Sequence, residues 1–289
     1  MLNNIPKTIH LYWDGNPMPF LCFLTVFSFT KLNPDWKIKI YSPISKSNKK
    51  PWTTNEQKTE YKGKDYFDHL KILKNCTFIN FDFEKIGISN EISEIQKSDF
   101  IRWHLLSTEG GVWSDFDIIY FRSINEINIA NQIVTTQNRE IDFSICYDLN
   151  NSSSYKYSIG FLLAKENCDF YKEIFLDAIE NFNENDYQGA GSQILNKKYP
   201  DLIGLYKNKN NFNIWNTSMD VLYAYDSCKI SDIYESEDIG FFTQNSIGIH
   251  FYYGSNITKE FINDFENKRT KRNILFKAID KFYDNSNLK

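Results

Sequence analysis

An excess of basic charge is the first thing the sequence lacks. Its 33 Lys and Arg stand against 37 Asp and Glu, a formal net charge of −4 with the two signs interspersed. No positive field exists to hold a nucleic-acid backbone or an anionic membrane, so nucleic acid is excluded as a main partner. Long hydrophobic runs are missing too. The longest apolar stretch, Met18 to Phe29, is about a dozen residues, against the ~20 that a membrane-spanning helix needs. Peripheral association is then the only membrane contact left open. No basic region or small-residue cleavage site surrounds that stretch, so no secretion signal is read and the expected location is cytoplasmic. The five cysteines, Cys22, Cys76, Cys146, Cys168 and Cys228, show no CxxC or Cys/His spacing. That excludes a zinc site and leaves structural thiols in a reducing compartment. Neither a Walker nor a Rossmann glycine pattern is present, which counts against an ordinary kinase or dehydrogenase. No internal repeat and no clean linker divides the chain.

At 289 residues and 42% hydrophobic content, the chain is long enough for a sizeable core. Aromatic residues reach 17%; they suit stacking on bases or sugars, but a bias that also enriches Asn, Lys and Ile explains the larger share. Thr8 to Trp13 reads as a strand closed by the turn residues Asp14-Gly15-Asn16-Pro17. Phe20 to Leu32 reads as a buried helix stopped by Asn33-Pro34-Asp35, and Trp36 to Tyr41 as a second strand. Ser42 to Lys64 is polar and is the expected mobile surface segment. Strands are expected at Cys76 to Phe83, Val112 to Phe121, Ile141 to Tyr147, Ser158 to Ala164 and Ile247 to Tyr253. Helices are expected at Glu91 to Thr108, Phe170 to Phe182 and, closing the chain, Thr258 to Tyr283. This alternation predicts an α/β fold, a mixed sheet with helices on both faces, in one domain spanning 1–289.

The chemistry concentrates in the middle. In the Glu91 helix, Ile92, Ile95, Asp99, Arg102 and Leu106 fall three or four residues apart, so a charged pair interrupts an apolar stripe. An internal Asp99 to Arg102 ion pair explains it structurally; a ligand site explains it functionally. Gly110-Gly111 then stops the helix and turns the chain into Trp113-Ser114-Asp115-Phe116-Asp117. In an extended segment, residues two apart share a face, which sets Asp115 and Asp117 side by side with Cα atoms roughly 7 Å apart. Such carboxylates ask for a hard divalent cation, and magnesium or manganese completes its shell with phosphate oxygens. Apolar Val112-Trp113 and Ile118-Ile119-Tyr120-Phe121 flank the pair, unlike a solvated acidic turn. Glycoside hydrolysis would need carboxylates facing each other across a sugar about 5 to 10 Å apart, which two neighbours on one strand do not provide. A metal and an Arg instead suit charge that grows on a leaving diphosphate.

Ser98-Asp99-Phe100-Ile101-Arg102, Leu105-Leu106 and Gly110-Gly111-Val112-Trp113-Ser114-Asp115-Phe116-Asp117 resemble the SDxxR...L...GGxYxDxD pattern of the DXD sugar-binding glycosyltransferases. That family includes α-mannosyltransferases, capsular-polysaccharide transferases and the glucosyltransferase domains of large clostridial toxins. Ile5-Pro6-Lys7-Thr8-Ile9-His10-Leu11-Tyr12-Trp13-Asp14-Gly15 is similar to the family's IPKxIHxxWxG opening, and Asn33-Pro34-Asp35-Trp36 to its NPxW segment. The resemblance is strong over about the first 125 residues and weak after them. It implies a GT-A type, Rossmann-like fold, a nucleotide-diphosphate sugar donor such as a UDP- or GDP-sugar, a glycan acceptor, retention of configuration and a divalent metal, Mn2+ in preference to Mg2+. The halves are then a donor-binding part, 1–125, and an acceptor-side part, 126–289. By the same resemblance Trp13, with Tyr12 beside it, meets the base, Asp99 and Arg102 hold the sugar and diphosphate, Asp115 the ribose and sugar, and Asp117 the metal. Two positions depart from the pattern: Trp113 stands where Tyr is usual, and the late His...GSW element is His250...Gly254-Ser255-Asn256.

Three further expectations concern residues outside the motif. Gly189-Ala190-Gly191-Ser192 reads either as a helix N-terminus with Gly191 and Ser192 near the donor or as an ordinary turn and cap. His10 reads as a satisfied core histidine, whereas His69 and His104 have no evident partners. His250 follows a strand-like segment and precedes Gly254-Ser255, and is expected at the metal or diphosphate, since the two aspartates supply too few ligands for an octahedral ion. The alternatives are a toxin-like transferase acting on a protein side chain and a non-catalytic protein that binds sugar nucleotides or glycans.

Overall fold

The computed structural model describes residues 2–49, 60–127, 140–149, 156–265 and 273–283. Strand β1 (Thr8–Tyr12) leads through helix α1 (Phe20–Leu32) to β2 (Lys37–Pro43), which lies parallel to β1 with Thr8 opposite Lys37. Every residue of α1 from Phe20 to Phe29 is buried, which explains why its sequence is apolar all round. Its two polar members there have work to do: Thr25 donates to the Phe116 carbonyl at 2.7 Å, and the Ser28 hydroxyl accepts from Tyr120 N at 3.1 Å. Helix α1 thus anchors the acidic segment from behind.

Strand β3 (Cys76–Phe81) continues the sheet beyond β2, and β4 (Gly111–Ser114) joins the other side of β1, both parallel. Beyond β4 come β7 (Phe161–Ala164), β6 (Phe143–Ile145) and β8 (Ile214–Asn216), giving a seven-stranded mixed sheet in the order β3-β2-β1-β4-β7-β6-β8. Side chains alternate across it as pleating requires. Ile9, Leu11, Ile38, Ile40 and Val112 enter one core with α1, while Tyr12, Tyr41 and Trp113 enter another with Phe100, Ile101 and Trp103 of helix α2 (Glu94–Thr108). Helix α3 (Asp169–Asn181) covers that second face, Tyr171 stacking on Trp103 with ring centroids 5.7 Å apart. Helices therefore lie on both faces, as expected.

Four local expectations need correction. Helix α2 starts at Glu94 because Ser93 and Gln96 form a reciprocal capping box; Ile92 precedes the helix and Ile95 is 40% exposed, so the apolar stripe is shorter than its spacing suggested. Val112 to Phe121 is not one strand. Strand β4 ends at Ser114, the chain turns through Asp115-Phe116-Asp117, and β5 (Ile118–Tyr120) enters a separate two-stranded sheet with β9 (Gly248–His250). The single closing helix is interrupted: a helix over Asn256–Asn263 is capped at Asp264, and helix is described again over Ile274–Tyr283. Of the polar Ser42 to Lys64 segment, residues 50–59 lie outside the described residues, and the part before them is pinned: Ser47 is buried, its hydroxyl donating to the Glu91 carbonyl at 2.9 Å.

The turn out of α2 depends on glycine. Gly110 and Gly111 have φ of +65° and +87°, and a Cβ on Gly111 would stand 2.5 Å from the Thr8 carbonyl oxygen. Gly111→Ala is expected to destabilise the fold by at least ~1–3 kcal/mol, read as a lower midpoint in denaturant unfolding. A variant as stable as the parent would remove this account of the turn.

Candidate active site

Arg102 sits between two carboxylates. One terminal nitrogen donates to Asp99 Oδ1 at 2.7 Å and the other to Asp115 Oδ1 at 3.1 Å. Its guanidinium lies 5.0 Å from the Trp113 ring, and Trp113 Nε1 also donates to Asp115 Oδ1, at 2.8 Å. The structural explanation of the Asp99 and Arg102 pair is therefore present, and it extends to the acidic turn. Arg102 is 3% exposed and Asp99 4%; the two terminal nitrogens of Arg102 are engaged by the carboxylates, while its Nε has no hydrogen-bond partner. Burial pushes the Asp99 carboxyl up to about 6, against the pull of Arg102. Burial alone would lower Arg102, but Asp115 and Asp99 together hold it above its ordinary value.

Asp117 reaches the second sheet. Pairing of β5 with β9 puts Ile118 opposite His250, and Phe251 N donates to the Asp117 carbonyl at 2.8 Å. His250 Nε2 then stands 3.0 Å from Asp117 Oδ1, and Tyr253 N donates to Oδ2 at 3.0 Å. Burial opposes both charges; the pair nevertheless shifts Asp117 down and His250 up, each mainly through the other. Asp115, Asp117 and His250 each offer a ligand atom, all within 4.8 Å of one another. Asp117 Oδ1 meets only the His250 ring, and buried His250 Nδ1 has no hydrogen-bond partner. Two carboxylates and an imidazole, with ligand capacity left over, fit a divalent ion.

The remaining expected residues divide. Trp13 is buried in the α1 core, Nε1 donating to the Asn16 carbonyl at 2.7 Å, yet its ring lies 5.1 Å from Phe116 and 6.2 Å from Tyr253. It is a core tryptophan that borders the acidic turn. Tyr12 points to the α2 side and its hydroxyl donates to Glu94, so it is not among the groups gathered there. Gly191 precedes α4 (Ser192–Lys198) and packs on the site itself: a Cβ there would meet Asp99 Oδ2 at 2.5 Å. Contact with Asp99 explains the glycine. Ser192 Oγ donates to Gln188 Oε1 at 3.0 Å. His10 is satisfied within the core by Tyr41 Oη at 3.0 Å and the Gly110 carbonyl at 2.9 Å, and burial pushes it down to about 4. His69 packs on Phe23 and Tyr66, His104 on Phe81 and Phe175. Sequence reading missed Gly160, whose carbonyl accepts from Asp115 N at 2.7 Å, as well as Tyr223 and Tyr253. No local pattern marks them, because the tertiary fold alone brings them to the turn.

A mixed α/β sheet with an acidic turn at the end of a central strand is the GT-A arrangement, and the chain is a glycosyltransferase of that type. Residues 21–134 match the family described as the glycosyltransferase sugar-binding region containing a DXD motif, and Asp115-Phe116-Asp117 is that motif. No curated protein matches the chain. Among solved structures, the glycosyltransferase GlyE of Streptococcus pneumoniae TIGR4 is 12% identical with a TM-score of 0.51, over 98% of this chain and 64% of GlyE. The PaToxG glycosyltransferase is 17% identical with a TM-score of 0.46, over 72% of this chain and 75% of its own. The galactosyltransferase LgtC, solved with donor and acceptor sugar analogues, is 14% identical with a TM-score of 0.44, over 85% of this chain and 87% of its own. The likeness to GlyE concerns the fold alone.

Proposed function

We propose that the chain transfers a sugar from a UDP- or GDP-sugar to a glycan acceptor, with retention, using a divalent ion held by Asp115, Asp117 and His250. The convergence of these three side chains, with buried His250 Nδ1 left unpartnered, is the observation that carries the reading. When bound, the ion stabilises negative charge on the diphosphate leaving group. Arg102 fixes Asp115 toward the sugar and, with Asp99, keeps the floor of the site polar and rigid. Trp13, beside Phe116, borders the base. The imidazole among the ligands favours manganese over magnesium. We assign the whole of 1–289 to one catalytic domain with a donor half and an acceptor half. Five free cysteines accord with a reducing, cytoplasmic setting. Among the described residues no helix is long and apolar enough to cross a membrane.

His250→Ala is expected to raise the manganese concentration needed for half-maximal turnover by about 10- to 100-fold, with a smaller effect on donor binding at saturating metal. An unchanged metal requirement would remove His250 from the ligand set. The acceptor class is read by incubating lysate with labelled donor: label is expected in glycan, and label in protein would favour the toxin-like alternative.

A further inference from the structure

Tyr223 is an unassigned polar group at the heart of this site. It follows a short 3-10 turn, Met219–Val221, and its segment is laced to β9: Ile247 N donates to the Val221 carbonyl and His250 N to the Leu222 carbonyl, both at 2.9 Å. The Tyr223 ring lies 5.0 Å from the His250 ring. Only 5% of Tyr223 is exposed, and its hydroxyl has no hydrogen-bond partner. A buried, unsatisfied hydroxyl costs roughly 1–3 kcal/mol, so its retention asks for a ligand.

Gly160 shows where that hydroxyl points. A Cβ on Gly160 would stand 2.8 Å from Asp115 Oδ2 and 3.0 Å from Tyr223 Oη. The two oxygens therefore stand on the same side of Gly160, so close that a side chain there would collide with them. Asp115 Oδ1 is already taken by Arg102 and Trp113, which turns Oδ2 toward that side. The phenol is a hydrogen-bond donor beside an acceptor-only carboxylate.

We propose that Tyr223 and Asp115 together read one hydroxyl of the sugar being transferred, the phenol O–H donating to the sugar oxygen and Asp115 Oδ2 accepting the sugar O–H. This rests on the donor reading above and adds a specificity-determining residue to it. A paired donor and acceptor recognises a hydroxyl and leaves both partners unsatisfied when that hydroxyl is absent, which is how such sites reject deoxy analogues.

The test compares the full-length parent with Tyr223→Phe, a change that removes one oxygen having no partner within the fold. With whichever UDP- or GDP-sugar the parent uses, the variant is expected to lose about tenfold or more in kcat/KM, the size of one lost hydrogen bond. Manganese-dependent binding of the free nucleoside diphosphate should stay within about twofold, since the hydroxyl meets only the sugar. A set of monodeoxy donors supplies the second measurement: at one sugar position, the loss from removing the hydroxyl and the loss from Tyr223→Phe should fail to add. Turnover within twofold of the parent, an equal loss for free nucleotide, or additivity at every position overturns the proposal. A parent that neither binds nor turns over any donor instead refutes the donor reading, a result obtained before any variant is compared.

Discussion

Asp117→Ala is expected to abolish metal-dependent binding of a nucleoside diphosphate, an effect of more than about a hundredfold at saturating manganese, while the protein stays folded. Asp117 is the hinge of the proposed ligand set: its Oδ1 lies 3.0 Å from His250 Nε2 and Oδ2 accepts from Tyr253 N at 3.0 Å. Alanine removes a ligand and also the partner that orients His250. The fold tolerates the change because the backbone bond from Phe251 N to the residue 117 carbonyl and that from Thr25 to the Phe116 carbonyl remain. Calorimetric titration of UDP and GDP with and without manganese reads the effect. Nucleotide binding with unaltered metal dependence would show that the acidic turn is not the metal site.

Arg102→Met carries the second large effect, and here the loss is in stability. The side chain is 3% exposed and pairs with Asp99 and Asp115 at once, so its removal leaves a buried carboxylate without a partner. Breaking one side of a buried pair costs about 3–5 kcal/mol. The deficit should depend on pH in a definite direction. Asp99 already has its carboxyl pushed up to about 6 by burial, and without Arg102 its folded value rises further above the unfolded one. A group raised in this way favours the fold while protonated and loses that contribution as pH rises through its folded value. The variant should therefore lie furthest below the parent near pH 8 and recover part of the difference near pH 5. Urea unfolding at the two pH values measures it, and equal stability of variant and parent at both would contradict the buried pair.

How much of this was legible in the sequence depends on how local the cause is. Helix α1 was read to its exact ends because an apolar run closed by Asn33-Pro34 carries its own boundaries. The acidic motif and the Gly110-Gly111 stop were legible for the same reason. The turn at Asp115 to Asp117 was not: Val112 to Phe121 is apolar on both sides, and only the pairing of β5 with β9 pulls its second half into another sheet. The start of α2 was missed by three residues because Ser93 and Gln96 act as a cap through side chains whose rotamers a pattern does not show. Among site residues, the Asp99 and Arg102 spacing allowed two explanations, and the structure shows the ion pair and adds Asp115 as a second partner. His250 was placed from its strand and glycine context, and the structure sets it against Asp117. Gly160, Tyr223 and Tyr253 left no sequence trace, since each contributes through tertiary contacts with no repeating pattern around it.

The central claim is transfer from a nucleotide sugar at a metal site made by Asp115, Asp117 and His250. The most direct measurement is nucleotide release across a panel of UDP- and GDP-sugars, with manganese, with magnesium and with chelator. The account predicts release from at least one donor that requires a divalent ion, is faster with manganese and is absent in Asp117→Ala. Release that persists undiminished in chelator, or a panel in which no donor is turned over with either metal, would contradict it.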